Sequence, residues 1–588
     1  MKRLGLFVSL MTVAFLLAAC ATPTPEVVER LVEKEVTREV EKIVEKVVTQ
    51  VVKETVKETV VVEGTPQIVE KEVTKIVEQV VTATPEPEDT SKYGGTLIIK
   101  ASGLVQFDPI FIADDASFHV VSNVYSLLFR RQEPDIYPDL ATSWEYEDDT
   151  TLIFYLRQGV MWHDDNAVFA KGQSREVVAD DVVYSIKRAV ETEGAATAAD
   201  LLASFESIEA LDDYTVKLTL KAPDALLFSG GRGLSWVPIV PREAVEQLGE
   251  DFALNPIGSG PFKFVEYLPD ESLTLERNDL YWQKPYLDKV VYRVIPDEDA
   301  ALISFEAGEV DILDRVPAAE FDRLQADNRY ILLPANCPYQ VWMMFNMTNP
   351  LLSQLELRKA VAYALDGDAI AANVHGGMYV GGCGTAGPGV PGYDPTLCNK
   401  YFPYDPEGAR AILKEIGWED TDGDGVLDKD GQPLEFPLEI WSMDPMPKFG
   451  AAIVTQLAEA GIQVDLQTVE FGTWIDDFFS GVDKAMMASG FCGDGGLTSL
   501  WGRDFAGNLN YDDEEIFELL ERSNTIVDPA ERDKVLREAQ DKIYGQYWAV
   551  PTGFATNFSA ARSWVHDFYG TLGSENLCTE FNNVWVKK

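Results

Sequence analysis

The chain has few basic residues and very little histidine. Its 588 residues include 97 Asp and Glu but only 49 Lys and Arg, with four His and a formal net charge of −48. Such a surface repels nucleic acid and anionic lipid headgroups and favours cationic solutes. The composition therefore excludes nucleic-acid binding as a function class, although simple solubility would explain the acidity equally well.

The usual signatures of enzymes and bound metals are also missing from the sequence. There is no G-x-S-x-G or H-E-x-x-H motif, and the four His are scattered without metal spacing. The run Gly382–Gly387 matches a dinucleotide fingerprint by letters alone, because Pro388 and Pro391 prevent the helix that must follow. We therefore expect no enzymatic activity and no resident cofactor.

Only one long apolar run is present, and it lies at the start of the chain. Residues 4–17 are apolar, follow a positive start, and lead into Leu17-Ala-Ala-Cys20, which resembles a bacterial lipobox. Residues 1–20 are therefore predicted to be a signal peptide, with cleavage before Cys20 and lipidation of that residue. We expect an extracytoplasmic chain that is anchored to the cell membrane by lipid and does not span it.

The remaining cysteines are few and contain no C-x-x-C pair, which disfavours a zinc or redox site. An exported chain meets an oxidising compartment, where disulfides are the better interpretation. Cys383 and Cys398 bracket a loop rich in Gly and Pro, and closing a loop of that size would stabilise the fold by roughly 3 kcal/mol.

Residues 21–92 form a low-complexity stalk of Val, Glu, Lys and Thr between Pro-rich ends. Val recurs at every fourth position from 28 to 60, so an apolar stripe would wander around an α-helix. The Glu and Lys spacing favours a helix, whereas the Val content disfavours one. We predict a partly helical, weakly self-associating spacer, with a disordered linker as the alternative.

A glycine-rich turn follows an apolar strand in the stretch Met487-Ala-Ser-Gly-Phe-Cys-Gly-Asp494. Glycines at this point let the backbone approach a ligand closely. A carboxylate at the end of a buried strand needs a partner, because a lone buried charge is unfavourable. We predict that Asp494 pairs with the ammonium group of a captured solute, a peptide; a solvated turn residue is the alternative.

A series of motifs in the body of the chain resembles the extracytoplasmic solute-binding proteins of peptide-type ABC importers, bacterial family 5. The match runs from about residue 93 to 588, which is long enough for at least two lobes. The motifs that carry the resemblance are Gly94–Leu97, Asp108-Pro109, Pro138–Trp144, Leu156–Asp164, Ala179–Ser185, Asn255–Phe262, Phe345-Asn346, Leu357–Asp366 and Tyr404–Leu413.

The resemblance implies an α/β protein with the two-lobed periplasmic-binding-protein fold of type II and a ligand cleft between the lobes. Lobe I would comprise residues 93–335 and 546–588, with the extra subdomain of the peptide-binding group at about 119–217. Lobe II would comprise residues 336–545. The chain would cross between the lobes near Pro334–Asn336 and near Trp548–Pro551.

The oligopeptide-binding branch is most similar to this chain at the turn Gly490-Phe-Cys-Gly-Asp494. In that branch the Asp binds the peptide's α-ammonium group and the Cys forms a disulfide, which here implies a Cys337–Cys492 bond. The chain departs from the branch after Asp494, where Gly495–Ser499 replaces the usual Asp-Pro and leaves room for a different solute.

Pockets with aromatic walls would accept varied peptide side chains beside a strand that pairs with the peptide backbone. Trp236 and Arg232 would line the facing lobe, where Arg232 would meet a solute carboxylate. For each aromatic residue, an ordinary place in the core is the alternative. The candidate walls in lobe II are Tyr339, Trp342, Phe471, Trp474, Phe491 and Trp501.

The segment Asp420–Asp428 is similar to a calcium-binding loop. Asp420, Asp422, Asp424 and Asp428 occupy positions 1, 3, 5 and 9, and a glycine occupies position 6. Position 12 is Gly431 instead of a bidentate Glu, and the family uses this stretch as a hairpin turn. Calcium binding and a plain hairpin turn are therefore the two interpretations of this segment.

These observations predict a lipid-anchored solute receptor that captures oligopeptides and delivers them to an ABC permease. The first alternative keeps the fold and changes the solute to an oligosaccharide. The second is a structural surface lipoprotein that acts through its stalk.

Overall fold

A computed structural model describes most of the chain beyond residue 45. The described residues are 46–62, 65–81, 90–112, 114–132, 135–193, 195, 204–228, 233–334, 339–382, 391–443, 445–489, 496–503, 509–569 and 581–588. They fall into two compact units, residues 1–89 and residues 90–588.

The first unit contains an antiparallel β-hairpin. Strand β1 (Lys46–Val62) pairs with β2 (Thr65–Val81), and the register joins Val62 to Thr65 at one end. The prediction of a partly helical spacer is therefore wrong for these residues. Val and Thr are β-branched and favour strands, and a period of four is a whole multiple of the two-residue repeat of a strand.

The second unit mixes strands and helices. Its strands are β3 (Thr96–Ala101), β4 (Phe129–Gln132), β5 (Asp135–Pro138), β6 (Ala141–Asp148), β7 (Thr151–Leu156), β8 (Phe205–Asp212), β9 (Thr215–Leu220), β10 (Phe262–Leu268), β11 (Ser272–Arg277), β12 (Lys289–Val294), β13 (Ile312–Leu313), β14 (Tyr330–Pro334), β15 (Tyr339–Phe345), β16 (Asp428–Lys429), β17 (Gln432–Pro433), β18 (Glu435–Trp441), β19 (Gln463–Val469), β20 (Ala485–Ser489), β21 (Ala549–Ala555), β22 (Phe558–Arg562), β23 (Val565–His566) and β24 (Trp585–Val586).

Its helices are α1 (Asp115–Val124), α2 (Ala179–Glu191), α3 (Arg242–Leu248), α4 (Glu298–Ala307), α5 (Phe321–Gln325), α6 (Leu355–Ala364), α7 (Gly367–His375), α8 (Thr396–Tyr401), α9 (Pro406–Glu415), α10 (Met446–Glu459), α11 (Phe471–Ser480), α12 (Gly496–Trp501), α13 (Glu514–Asn524) and α14 (Pro529–Gly545). Within the described ranges, no helix combines the length and apolar character needed to cross a membrane.

Local sequence patterns account for several of these elements. Strand β9 alternates between buried and half-buried residues, as its alternating apolar and polar residues require. Helix α2 carries two acidic residues in its first turn and Arg188 in its last turn, which suits the helix dipole. The Asp181 carboxylate also accepts a hydrogen bond from the Val178 backbone N–H at 3.0 Å.

Three larger sheets organise the second unit. The first has seven strands in the order β10-β11-β12-β3-β13-β22-β14, and the second has five in the order β19-β18-β20-β15-β21. A third, four-stranded sheet has the order β6-β7-β9-β8 and packs against α2.

The buried apolar side chains form separate clusters that follow the sheets. One cluster draws on residues between 97 and 312 together with 561–584, and a smaller one packs around Phe305 and Leu324. Another cluster lies entirely between residues 341 and 550. The fold is thus mixed α/β, and its hydrophobic core consists of separate clusters. The exact lobe boundaries stay predictions.

The chain passes twice between the seven-stranded and the five-stranded sheet. The first passage joins β14 to β15, and the second is the short link Thr556–Asn557 between β21 and β22. The second crossing therefore differs from the predicted one near Trp548–Pro551. Strand β21 still belongs to the five-stranded sheet because it pairs antiparallel with β15, as Tyr339 opposite Ala555 shows.

Candidate functional site

Three neighbouring strands of the seven-stranded sheet run parallel. Strands β12 and β13 each pair parallel with β3, so their carboxyl ends meet at one edge. Ser102 directly follows β3, Glu298 opens the helix that follows β12, and Asp314 directly follows β13. Ligands of open α/β sheets bind at such edges, outside the carboxyl ends of the strands.

A cavity of about 430 Å³ opens at this edge. Asn557, one of the two residues of the second crossing, is part of its wall, so the cavity lies where the chain passes to the other sheet. Its charged and polar lining includes Lys100, Ser102, Asp114, His119, Glu298, Asp314 and Arg315.

The Lys100 ammonium is the buried charge of this cavity. Its Nζ lies 3.0 Å from a Glu298 carboxylate oxygen, 3.0 Å from one of Asp314, and 2.8 Å from the Ser102 hydroxyl. An ammonium has three donors, and these three acceptors use them. Burial raises the pKa of the Asp314 carboxyl above its ordinary value, although the Lys100 ammonium opposes that rise.

The five-stranded sheet has a comparable edge. Strands β19 and β20 both pair parallel with β18, so their carboxyl ends also meet. Strand β15 runs the other way and starts there, with Val341 opposite Ser489. Both interlobe passages and the end of β20 therefore share one edge of this sheet.

The predicted ammonium-binding turn continues from β20. The structure confirms the buried apolar strand, because Met486, Met487 and Ala488 are buried. Gly490, Phe491, Cys492 and Asp494 lie outside the described residues, so the role of Asp494 stays a prediction.

Trp342 and Trp501 are placed in the core. Trp342 is 2% and Trp501 1% exposed, and their rings meet edge to face with centroids 6.4 Å apart. Trp501 also stacks on Tyr511 at 5.8 Å and on Trp548 at 6.3 Å. These contacts are those of core residues, and a contact with the solute stays a prediction for both.

A different group of rings lies at the carboxyl edge of β18 and β19. Trp441 ends β18, and its ring lies 4.7 Å from that of Trp474 and 5.8 Å from that of Phe471. The rings of Phe471 and Trp474 stack at 5.9 Å, and Phe471 is 42% exposed. We call Trp441, Phe471 and Trp474 the aromatic platform.

The other predicted wall residues are only partly placed. Tyr339 begins β15 at the edge with the passages, but its side chain is not described. Trp236 packs edge to face on Phe118 at 4.5 Å, and Phe118 belongs to α1, whose Ala116 and His119 line the cavity. Arg232 lies outside the described residues.

Sequence reasoning missed the buried ionic group and Trp441. Lys100 is the penultimate residue of an apolar strand, so its need for a partner was visible, but Glu298 and Asp314 lie 198 and 214 residues away in the sequence. The sequence indicated Trp441 only weakly, as an aromatic residue at the end of a strand that leads into a turn.

The cysteine predictions fall mostly outside the described residues. Cys20, Cys337, Cys383 and Cys492 are not described. Cys398 is half-buried and disulfide-bonded, and its partner lies beyond the described ranges. The pairings Cys383–Cys398 and Cys337–Cys492 therefore stay predictions.

The predicted calcium loop is an exposed, acidic turn. Carboxylate oxygens of Asp420, Asp422 and Asp428 lie within 4.8 Å of one another. Asp420 also accepts hydrogen bonds from the Gly423 N–H at 2.7 Å, and Asp428 from the Thr421 hydroxyl at 2.8 Å. The loop leads into the β16–β17 hairpin, so its geometry suits a turn and calcium binding stays a prediction.

Comparison with known proteins identifies the family. The model of bacterial extracellular solute-binding proteins, family 5, matches residues 135–499, and the chain belongs to this family. Among curated relatives, the oligopeptide-binding protein AppA of Bacillus subtilis is 29% identical over 395 residues, which are 65% of this chain and 70% of that protein. Heme-binding protein A of Haemophilus influenzae is 26% identical over 516 residues, 81% of this chain and 90% of that protein.

A solved structure supports the same assignment at the level of the fold. It is the ABC transporter-associated periplasmic binding protein DppA of Helicobacter pylori in complex with the peptide STSA. Its TM-score is 0.69 at 24% identity, and the match covers 85% of this chain and 100% of that one. The predicted two-lobed α/β fold is therefore confirmed.

Proposed function

We propose that this chain is an extracytoplasmic receptor that captures oligopeptides between its two lobes and delivers them to an ABC permease. Family membership over residues 135–499 supports the class, and relatives that bind peptides support the solute. The observation that carries the proposal is the shared position of the two sheet edges. Each presents the carboxyl ends of parallel strands at the passages between the sheets.

Peptide capture needs a partner for the peptide's ammonium group, and we assign this role to Asp494. Strand β20 brings the chain to the edge of the five-stranded sheet only five residues before Asp494. A carboxylate at the end of a buried strand is stabilised by an incoming cation. Removing one member of such a desolvated pair typically costs about 3–5 kcal/mol.

The test is calorimetry with a tetrapeptide pool on the full chain and on Asp494→Ala. We expect the substitution to weaken binding about 100-fold or more, as that loss of free energy implies. Asp483→Ala is the matched control, because it removes an exposed carboxylate before the same strand. Equal affinity of Asp494→Ala and the parent chain would exclude the role of Asp494.

We further propose that Cys20 carries the lipid anchor and that the stalk holds the body away from the membrane. The lipobox-like sequence supports this proposal. Cys20→Ser should move the protein from the membrane fraction to the soluble fraction. Unchanged membrane association of Cys20→Ser would argue against lipid at this residue.

Two disulfides complete the proposal, Cys337–Cys492 and Cys383–Cys398. The disulfide-bonded state of Cys398 supports the second pair. Peptide mapping by mass spectrometry without reduction should recover both linked pairs. Free thiols at Cys337 and Cys492 would remove the first pair.

A second candidate keeps the fold and changes the solute to one with flat, largely apolar faces. The aromatic platform supports this candidate, because exposed Phe471 would stack on a sugar or another ring. One relative of this chain is named for binding heme, which is a planar ligand. Mass spectrometry of the molecules that co-purify with the protein separates this candidate from a peptide.

A further inference from the structure

Arg315 is an exposed cation on the wall of the cavity. It follows Asp314 at the end of β13, and its backbone N–H donates to the Asp314 carboxylate at 2.9 Å. Its guanidinium forms no ion pair or side-chain hydrogen bond within the described part of the chain. This is notable in a protein with 97 acidic residues and 49 Lys and Arg.

Other exposed arginines of the same region are paired with carboxylates. Arg293 lies 3.2 Å from Glu309, Arg323 bridges Glu306 and Glu320 at 2.6 Å each, and Arg329 lies 2.6 Å from Asp327. Exposure therefore does not by itself leave a guanidinium without a partner here.

The anionic groups around Arg315 already have other partners. Glu298 and Asp314 both contact the Lys100 ammonium. Asp114 caps helix α1 by accepting a hydrogen bond from the Ser117 N–H at 2.8 Å. Arg315 is thus a charged donor on the described cavity wall that is available to a ligand, in a space large enough for part of a peptide.

We infer that Arg315 binds a carboxylate of the solute, which makes a free carboxylate part of what this receptor selects. The inference rests on the proposed function, in which Asp494 binds the ammonium end. The two charged ends of a peptide would then be held by different sheets, the ammonium at the five-stranded and the carboxylate at the seven-stranded sheet. A guanidinium suits this role because its planar fork matches a carboxylate bidentately.

The test compares one tetrapeptide pool in two forms, as free acids and as C-terminal amides, by calorimetry on the full chain in detergent. We expect the free acids to bind about 10-fold or more tightly than the amides, as for a hydrogen bond to a charged group. Arg315→Gln should lose this preference and bind the amides as the parent chain does. Arg315→Lys should keep part of it, because the charge stays while the bidentate geometry is lost.

Arg293→Gln is the matched control, since it removes an exposed guanidinium of the same sheet outside the cavity wall, and it should keep the full preference. If Arg315→Gln still prefers free acids over amides, or if the parent chain shows no such preference, the inference is wrong while the proposed function stands. If Arg315→Gln loses affinity for acids and amides equally, the inference is also wrong, because Arg315 then has a structural role. If the parent chain binds neither pool, the proposed function fails and the inference with it.

Discussion

The two sheet edges that meet the interlobe passages have the same topology and different chemistry. At the seven-stranded edge, Lys100, Glu298 and Asp314 form an ionic group beside a cavity. At the five-stranded edge, Trp441 ends β18, and its ring meets edge to face the stacked rings of Phe471 and Trp474 from the helix that follows β19. Parallel strands thus set where a site lies, while the residues just after each strand decide what it holds.

The five-stranded sheet also buries a Lys–acid pair, but away from that edge. Glu439 is 0% exposed in the middle of β18 and pairs with Lys484. Burial raises the pKa of Glu439, with Lys484 opposing the rise. A buried ion pair therefore does not by itself mark a binding site. The ionic group around Lys100 differs from the Glu439–Lys484 pair because it lies at the end of a strand and beside a cavity.

The largest expected effect comes from breaking the ionic group. Lys100→Met leaves the Glu298 and Asp314 carboxylates without their common partner, so the free energy of unfolding should fall by about 3–5 kcal/mol. Urea unfolding followed by circular dichroism measures the change. Lys217→Met is the control, because its pair with Glu147 is more exposed and should contribute less than about 1 kcal/mol. A loss for Lys100→Met no greater than that of the control would show that the group contributes little to stability.

The second prediction concerns acid and applies to the region of the seven-stranded sheet. Burial lowers the pKa of His163 from 6.5 to about 4. The folded state therefore binds fewer protons than the unfolded state between these values, so stability is lost as the pH falls from 6.5 through 4. The loss should reach about 3 kcal/mol in unfolding experiments from pH 7 to pH 4.

Two variants isolate the contribution of His163. His163→Gln cannot titrate there and should show a weaker dependence on pH over this window. His566→Gln is the control and should keep the dependence, because it leaves the buried His163 in place. The same slope in all three proteins would assign the acid sensitivity to other groups.

Elements with short-range signals follow from the sequence. The apolar strand predicted before Gly490 is found in the structure, and the alternation of β9 and the charge pattern of α2 account for those two elements. The stalk prediction failed where two propensities competed, and the strand preference of Val prevailed. The partners of Lys100 could not be predicted, because only the sheet order brings residues about 200 positions apart together.

The third prediction concerns the aromatic platform at the edge of the five-stranded sheet. Phe471→Ala removes the exposed face of the aromatic platform, so solute binding should weaken about 5- to 10-fold, as for the loss of one ring contact. Its free energy of unfolding should change by less than about 1 kcal/mol, because Phe471 is 42% exposed. Val527→Ala, at an apolar residue 41% exposed, is the control. An equal effect of both substitutions on tetrapeptide-pool affinity would remove the platform from the binding site.

The smallest expected effect concerns calcium at the exposed turn Asp420–Asp428. If the turn binds Ca²⁺ with a Kd about ten times lower than the Ca²⁺ concentration used, linkage predicts that the free energy of unfolding rises by about 1.4 kcal/mol. The gain should be lost on chelation and in Asp420→Asn, which removes charge from a carboxylate near those of Asp422 and Asp428. Asp465→Asn is the control, since Asp465 lies on β19 and not in the acidic turn. Gly431 stands where such loops have a bidentate ligand, so the turn lacks one calcium ligand. Equal free energies of unfolding with Ca²⁺ and with chelator would show that the turn does not bind the ion and is held by its own hydrogen bonds.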